Sequence, residues 1–417
     1  MFSLNKKSRS PATFRRSLTG LILGSGLLAT PVWAADLGDV KVHGFASQGF
    51  ILTKSNNYLA SGTQGDGSWA FNELAVNGSW QATNSLRLGG QLMSRRFGGD
   101  GHNELYIDWA VVDYRLGDPL GLQLGKFKIP VGFYNQTRDI DLARVNVFLP
   151  QSIYPEAFRP FFGSGTGALA YGTLGLRELG SLEYELFYGK AEEDNDSCMV
   201  RSLEIMLQGT EMNMDANQVF GGALRYNTPL DGLRVGYTMA KGDADFDYIN
   251  SYGLRSYISG GAEPGHVFST EYSRDDLTIS GEWMRTEMSL DSIYATPGGN
   301  LTRHTSTEAE GYYINASYIV TDWLEMSLQY EVYYRNRDDK DGHLPKNPMD
   351  PSLGLMDHGA WQKAWALAAR FDVTDFWLIK LEGQYIDGTA LLSPVYNEER
   401  DCERYWNMLA IKTTLFF

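Results

Sequence analysis

Seven short polar turns divide most of this chain into paired segments. They are Thr83-Asn84-Ser85, Gly117-Asp118-Pro119, Arg177 to Gly180, Pro229-Leu230-Asp231, Arg274-Asp275-Asp276, Thr321-Asp322-Trp323 and Thr374-Asp375-Phe376. Gly, Asn, Asp and Pro at these points are hairpin chemistry. The flanking segments alternate with period two. Leu324, Met326, Leu328, Tyr330, Val332 and Tyr334 oppose Glu325, Ser327, Gln329, Glu331, Tyr333 and Arg335. Trp361, Lys363, Trp365, Leu367, Ala369 and Phe371 oppose Gln362, Ala364, Ala366, Ala368 and Arg370. One face suits lipid and the other water. Several runs reach the ~9–11 residues that cross a bilayer at a tilt, longer than the roughly 5–6 of an ordinary strand. Because a bilayer leaves no backbone polar group unpartnered, only helices or closed sheets span it. Seven hairpins, one strand before them and one after, predict an all-β fold: a 16-stranded antiparallel transmembrane β-barrel.

The aromatics keep a fixed offset from the turns. Trp80, Tyr114, Tyr226, Tyr272, Tyr318 and Phe371 each precede a turn by two or three residues. Phe417 stands where an eighth turn would be. Scattered surface aromatics would keep no such offset, whereas an interfacial girdle does. Tyr188, Trp283, Tyr334, Trp361 and Tyr385 would form the opposite rim. The connections on that side are long and acidic, as in Glu192 to Asp196, Asp243 to Asp247, Asp338 to Asp341 and Glu398 to Asp401. They would stay solvated or hold divalent cations.

The chain starts with Lys6, Lys7, Arg9, Arg15 and Arg16, an apolar stretch from Leu18 to Leu28, and Val32-Trp33-Ala34. This reads as a signal peptide, residues 1–34, cut after Ala34. Ser17 and Thr19 argue against a twin-arginine signal at Arg15-Arg16. Losing five basic residues takes the formal net charge from −15 to −20. No later apolar run is long enough for a spanning helix. Residues 35–417 would then form one exported barrel domain whose first strand starts near Val40. With no plug domain before that strand, a TonB-type receptor is disfavoured. Two cysteines, Cys198 and Cys402, fall in expected external loops. They either pair in an oxidising compartment or remain thiols.

The longest stretch without alternation runs over residues 128–165, in the third external connection. It is too apolar and aromatic for disorder, with Phe133, Tyr134, Phe148, Tyr154, Phe158, Phe161 and Phe162. A loop this long is functional or disordered. The place open to it is the lumen, as a constriction loop. It carries Lys128, Arg138, Arg144 and Arg159 against Asp139, Asp141 and Glu156. The alternation turns Arg87, Arg95, Arg115, Arg225, Arg234, Arg335, Arg370, Lys380, Arg404 and Lys412 inward. It does the same for Glu73, Glu104, Asp108, Glu183, Glu185, Glu282, Glu325, Glu331 and Glu382. Lys128, Arg138, Asp139, Asp141, Arg144, Glu156 and Arg159, with Arg87 and Arg95 on the wall, are the candidate pore-lining residues. These charges either set a transverse field that orients polar solutes or pair to anchor the loop. Charge at the narrowest point governs selectivity.

A final strand that alternates from Tyr405 to Phe417 and stops on an aromatic resembles the terminal strand of Gram-negative outer-membrane barrels. Gly125-Lys126-Phe127-Lys128-Ile129-Pro130, then Arg138-Asp139 and Pro150-Gln151-Ser152-Ile153-Tyr154, resembles the Gram-negative porin superfamily, nearest its phosphate-selective O/P-type branch and related uncharacterised porins. The resemblance implies a homotrimer of sixteen-stranded barrels in the cell outer membrane, each with its third loop inside. It also implies passive diffusion of small hydrophilic solutes or ions, and contact with outer-membrane lipid and lipopolysaccharide. The dense lysine and arginine ladder of a dedicated phosphate channel is missing.

Other signals are weak. Gly121-Leu122-Gln123-Leu124-Gly125-Lys126 is one residue short of a phosphate loop, and Phe127 replaces the magnesium-binding hydroxyl. Gly163-Ser164-Gly165-Thr166-Gly167 opens no helix. Asp243-x-Asp245-x-Asp247 starts like a calcium loop, but Tyr248 and Leu254 replace the Gly and Glu it needs. His43, His102, His266, His304, His343 and His358 sit in no recognisable serine-hydrolase constellation. The expected function is a porin without cofactor, metal, nucleic-acid partner or catalysis. A structural or adhesive outer-membrane barrel is the alternative, and a barrel hydrolase the more remote one.

Overall fold

The computed structural model describes residues 40–99, 101–344 and 356–417. The expected leader and its cut after Ala34 lie outside them. The sixteen strands are β1 (Val40–Lys54), β2 (Phe71–Gln81), β3 (Leu86–Phe97), β4 (Leu105–Gly117), β5 (Leu120–Lys128), β6 (Ser164–Gly175), β7 (Ser181–Ala191) and β8 (Thr210–Asn227). There follow β9 (Leu233–Ile249), β10 (Arg255–Arg274), β11 (Leu277–Thr296), β12 (Gly299–Thr321), β13 (Leu324–Tyr334), β14 (Trp361–Thr374), β15 (Trp377–Gly388) and β16 (Tyr405–Phe416). Each pairs antiparallel with its sequence neighbours, and β1 closes on β16 to complete the barrel. All seven expected turns separate consecutive strands. No helix among the described residues is long and apolar enough to cross a membrane.

The last residue helps to close the ring. Gly44 N donates to Phe417 O at 3.0 Å and Phe417 N to Gly44 O at 2.9 Å. Gly44 has no Cβ because one would sit 2.5 Å from the Phe417 ring and 2.7 Å from Ala75 O. Closure removes the unpaired edges that an open sheet would expose.

Burial is reversed relative to a water-soluble barrel. Leu74, Val76, Leu328, Leu367 and Trp365 are exposed, whereas Glu73, Lys380, Glu382 and Lys412 are buried. The period-two pattern therefore places apolar side chains outside and charged ones inside. Trp80, Tyr114 and Tyr318 lie exposed near the turns, and Tyr188 and Tyr385 near the other end. Trp361, at the start of β14 on that same end, is buried. Its indole Nε1 donates to Asp387 at 3.2 Å, and the Arg404 guanidinium covers its ring at 5.1 Å.

Two parts were not anticipated. Strands β8 to β12 run 17 to 23 residues, so the acidic stretch Asp243 to Asp247 lies within β9 and not in a loop. A sheet that continues past the bilayer meets water on both faces and loses the apolar signal. The second is a ten-residue helix. After α1, a single turn (Arg159–Phe162), comes α2 (Cys198–Leu207) between β7 and β8. Ser197 caps it by accepting from Val200 N.

Candidate functional site

The segment between β5 and β6, residues 129–163, threads polar anchors laid out along the wall. Gly132 starts it with φ +56°, and a Cβ there would meet Tyr154 Oη at 2.2 Å. Three wall glutamates then receive backbone donors. Phe133 N donates to Glu282 at 2.8 Å, Ser152 N to Glu331 at 2.9 Å, and Val147 N to Glu382 at 2.6 Å. These come from β11, β13 and β15, so the wall satisfies N–H groups that an irregular buried segment would otherwise leave orphaned. Tyr154 Oη adds a 2.5 Å bond to Glu282, and Tyr134 Oη donates to Glu271 on β10.

A charged network runs through the same segment. Lys128 bridges Asp108 at 2.6 Å and Asp139 at 2.7 Å. Arg159 holds Asp139 at 2.5 Å and approaches Glu73 at 3.7 Å. Glu156 takes Arg138 at 2.9 Å and Arg95 at 3.4 Å. Glu73 also binds Lys412 at 2.6 Å, which reaches Asp141 at 2.9 Å. Asp141 is further held by Lys380 at 3.3 Å, Arg144 at 3.5 Å and the Thr414 hydroxyl at 2.6 Å. Glu73 thus joins two clusters into one chain of alternating sign.

Burial disfavours the charged form of Asp141, but Lys412, Lys380 and Arg144 together hold it well below the usual carboxylate range. Asp139 behaves likewise, with Arg159 and Lys128 outweighing its burial. Burial also works against Glu156, and Arg138, Arg159 and Arg95 bring its carboxyl down to about 2. All three are therefore ionised at neutral pH. Seven cations, Arg95, Lys128, Arg138, Arg144, Arg159, Lys380 and Lys412, meet five carboxylates, Glu73, Asp108, Asp139, Asp141 and Glu156. The most accessible cation is Arg144, its side chain 16% exposed against 2% for Asp141.

No protein-family description matches the sequence, and no curated protein matches it. Solved structures do match. An in-vitro folded OmpT of Vibrio cholerae in its trimer form aligns with TM-score 0.52 at 11% identity, over 91% of this chain and 99% of that one. An anion-selective porin from Comamonas acidovorans gives 0.51 at 12%, over 91% and 99%. The OmpF of Salmonella typhi in complex with daunomycin gives 0.54 at 13%, over 91% and 97%.

The chain shares the closed sixteen-stranded barrel fold of these solved structures. Within it, Lys128, Arg138, Asp139, Asp141, Arg144, Glu156, Arg159 and Arg95 share one ion-pair network. Arg87 does not join them. It pairs with Asp113 at 2.8 Å near the turn-side end of β3, and half of its side chain is exposed. Three expected wall charges also sit elsewhere. Glu104 is exposed just before β4, Arg335 lies past β13 and donates to Ala390 O, and Arg404 pairs with Asp387 at the outer rim. Alternation was extended past the strand ends in each case. Asp113 and Glu271 were missed, although period two from Val111 and Ser269 points to both. The histidines remain apart. His266 bonds Tyr237 Oη, His304 bonds Asp291, and His358 bonds Cys402 O.

Proposed function

We propose that this protein is an outer-membrane porin, a passive channel for small hydrophilic solutes and ions, narrowed by residues 129–163 lying across its lumen. One observation carries the reading. The segment bonds to inward side chains of β2 and β3 and of every strand from β7 to β16. A single connection can reach opposite walls of a closed barrel in this way from inside it. Interior segments of this kind leave a partial, water-lined opening when the remaining wall is polar. Arg87, Arg115 and Arg234 remain partly exposed on the inward face toward the turns, which supports a wet vestibule there.

The greater exposure of Arg144 than of its carboxylate partner supports a mild anion preference at the narrowest point. The apolar outer face suits outer-membrane lipid, with lipopolysaccharide against the acidic outer ends. The trimer form of the Vibrio cholerae neighbour supports a homotrimer. Proteoliposomes loaded with neutral sugars of graded size test the reading. A porin admits the small sugars and rejects the large ones. Folded, inserted barrels that admit none would overturn it in favour of a structural or adhesive role.

A further inference from the structure

Helix α2 is rooted between β7 and β8, and its far contacts lie on the other side of the barrel. In a ring of sixteen, the β7–β8 and β15–β16 connections are eight strands apart, diametrically opposed. Yet Ser202 Oγ on α2 lies 2.9 Å from Ser393 Oγ, and Cys198 Sγ 3.1 Å from the same hydroxyl. Ser393 belongs to the β15–β16 connection. Arg201 Nη2 donates to Gly99 O at 2.9 Å in the β3–β4 connection, whose Gly99 N donates to Tyr396 Oη at 3.0 Å. Two connections from opposite walls therefore meet over the mouth away from the short turns.

The two sides of the helix are held differently. On the root side, Val200 and Leu207 are buried in an apolar cluster with Met212, Met214 and Val219, and Met212 N donates to Glu204 at 2.8 Å. On the far side the named contacts are polar and Ser393 is half-buried, so water can replace each bond at little net cost. A tightly packed root and a polar far contact are the parts of a hinged cover.

We propose that α2 is a lid over the external mouth, hinged on its apolar root and latched at Ser393, which sets how often the channel conducts. This rests on the porin reading above. Two variants test it in planar bilayers. Ser202→Ala/Ser393→Ala breaks the latch. Ser202→Cys/Ser393→Cys, in a chain carrying Cys198→Ser and Cys402→Ser, locks it on oxidation.

Thiol titration reports whether the lock forms, and heat-modifiable gel mobility reports folding. The lid predicts that oxidation lowers the open fraction of the locked variant by roughly two-fold or more, with recovery on reduction, and that the latch-broken variant exceeds wild type. A formed crosslink with unchanged currents overturns the lid while leaving the porin reading intact. Failure of the two cysteines to join in a folded barrel overturns the latch. Silence of both wild type and latch-broken variant overturns the porin reading itself.

Discussion

At the scale of the residue, Glu73 has the most to lose. Among the described residues it is the one carboxylate that joins Lys412 to Arg159, and all three are buried. Glu73→Ala leaves two buried cations short of a partner. Breaking such a pair costs about 3–5 kcal/mol, so the variant should lose heat resistance on gels, while Arg87→Ala, at an exposed pair, should barely change it. A second expectation concerns acid. Carboxylates with depressed values in the folded chain stabilise it fully above their unfolded value, about 4.3 for Glu. That contribution fades as pH falls toward the folded value, about 2 for Glu156. Amide protection in residues 136–144, measured against the intrinsic exchange rate at each pH, should therefore stay high at pH 5 and fall as pH approaches 2. Low protection at pH 5 would contradict the network. The residue types of this site were legible because charges in an apolar, aromatic stretch need partners. Which partners they choose was not, since Glu73 and Asp141 both pair with Lys412, far from either in sequence.

Elements divide by how long their alternation lasts. Strands β13, β14 and β16 were readable residue by residue, because lipid on one face and water on the other impose period two along their length. Strands β8 to β12 outrun that constraint, and their outer ends read as loop. Helix α2 carried apolar residues at Met199, Leu203 and Leu207 and a capping Ser197, a helical spacing hidden beside an acidic run. Ring closure is the element-scale claim most open to test. Gly44→Val would drive its side chain into the Phe417 ring and Ala75 O. It should sharply lower the yield of heat-modifiable barrel, with Gly383→Ala, whose added Cβ meets nothing within 4 Å, as the harmless control.

For the whole molecule, the sequence carried strand number, inside and outside, and the presence of a folded third connection. It did not carry the sign of selectivity, because that depends on which charges of a near-balanced set remain accessible. On the proposed porin reading that sign would fall to Arg144 more than to Arg138 or Arg159, which are nearly sealed. Arg144→Gln should move the reversal potential toward cations with the barrel still heat-resistant, whereas Arg159→Gln should chiefly destabilise it. The most direct measurement is conductance and reversal potential of the reconstituted protein in a planar bilayer across a KCl gradient. The account predicts stepwise openings in threes and a potential of anion-selective sign. A cation-selective potential would contradict the assigned constriction, and inserted barrels silent with the α2 latch intact or broken would contradict the channel.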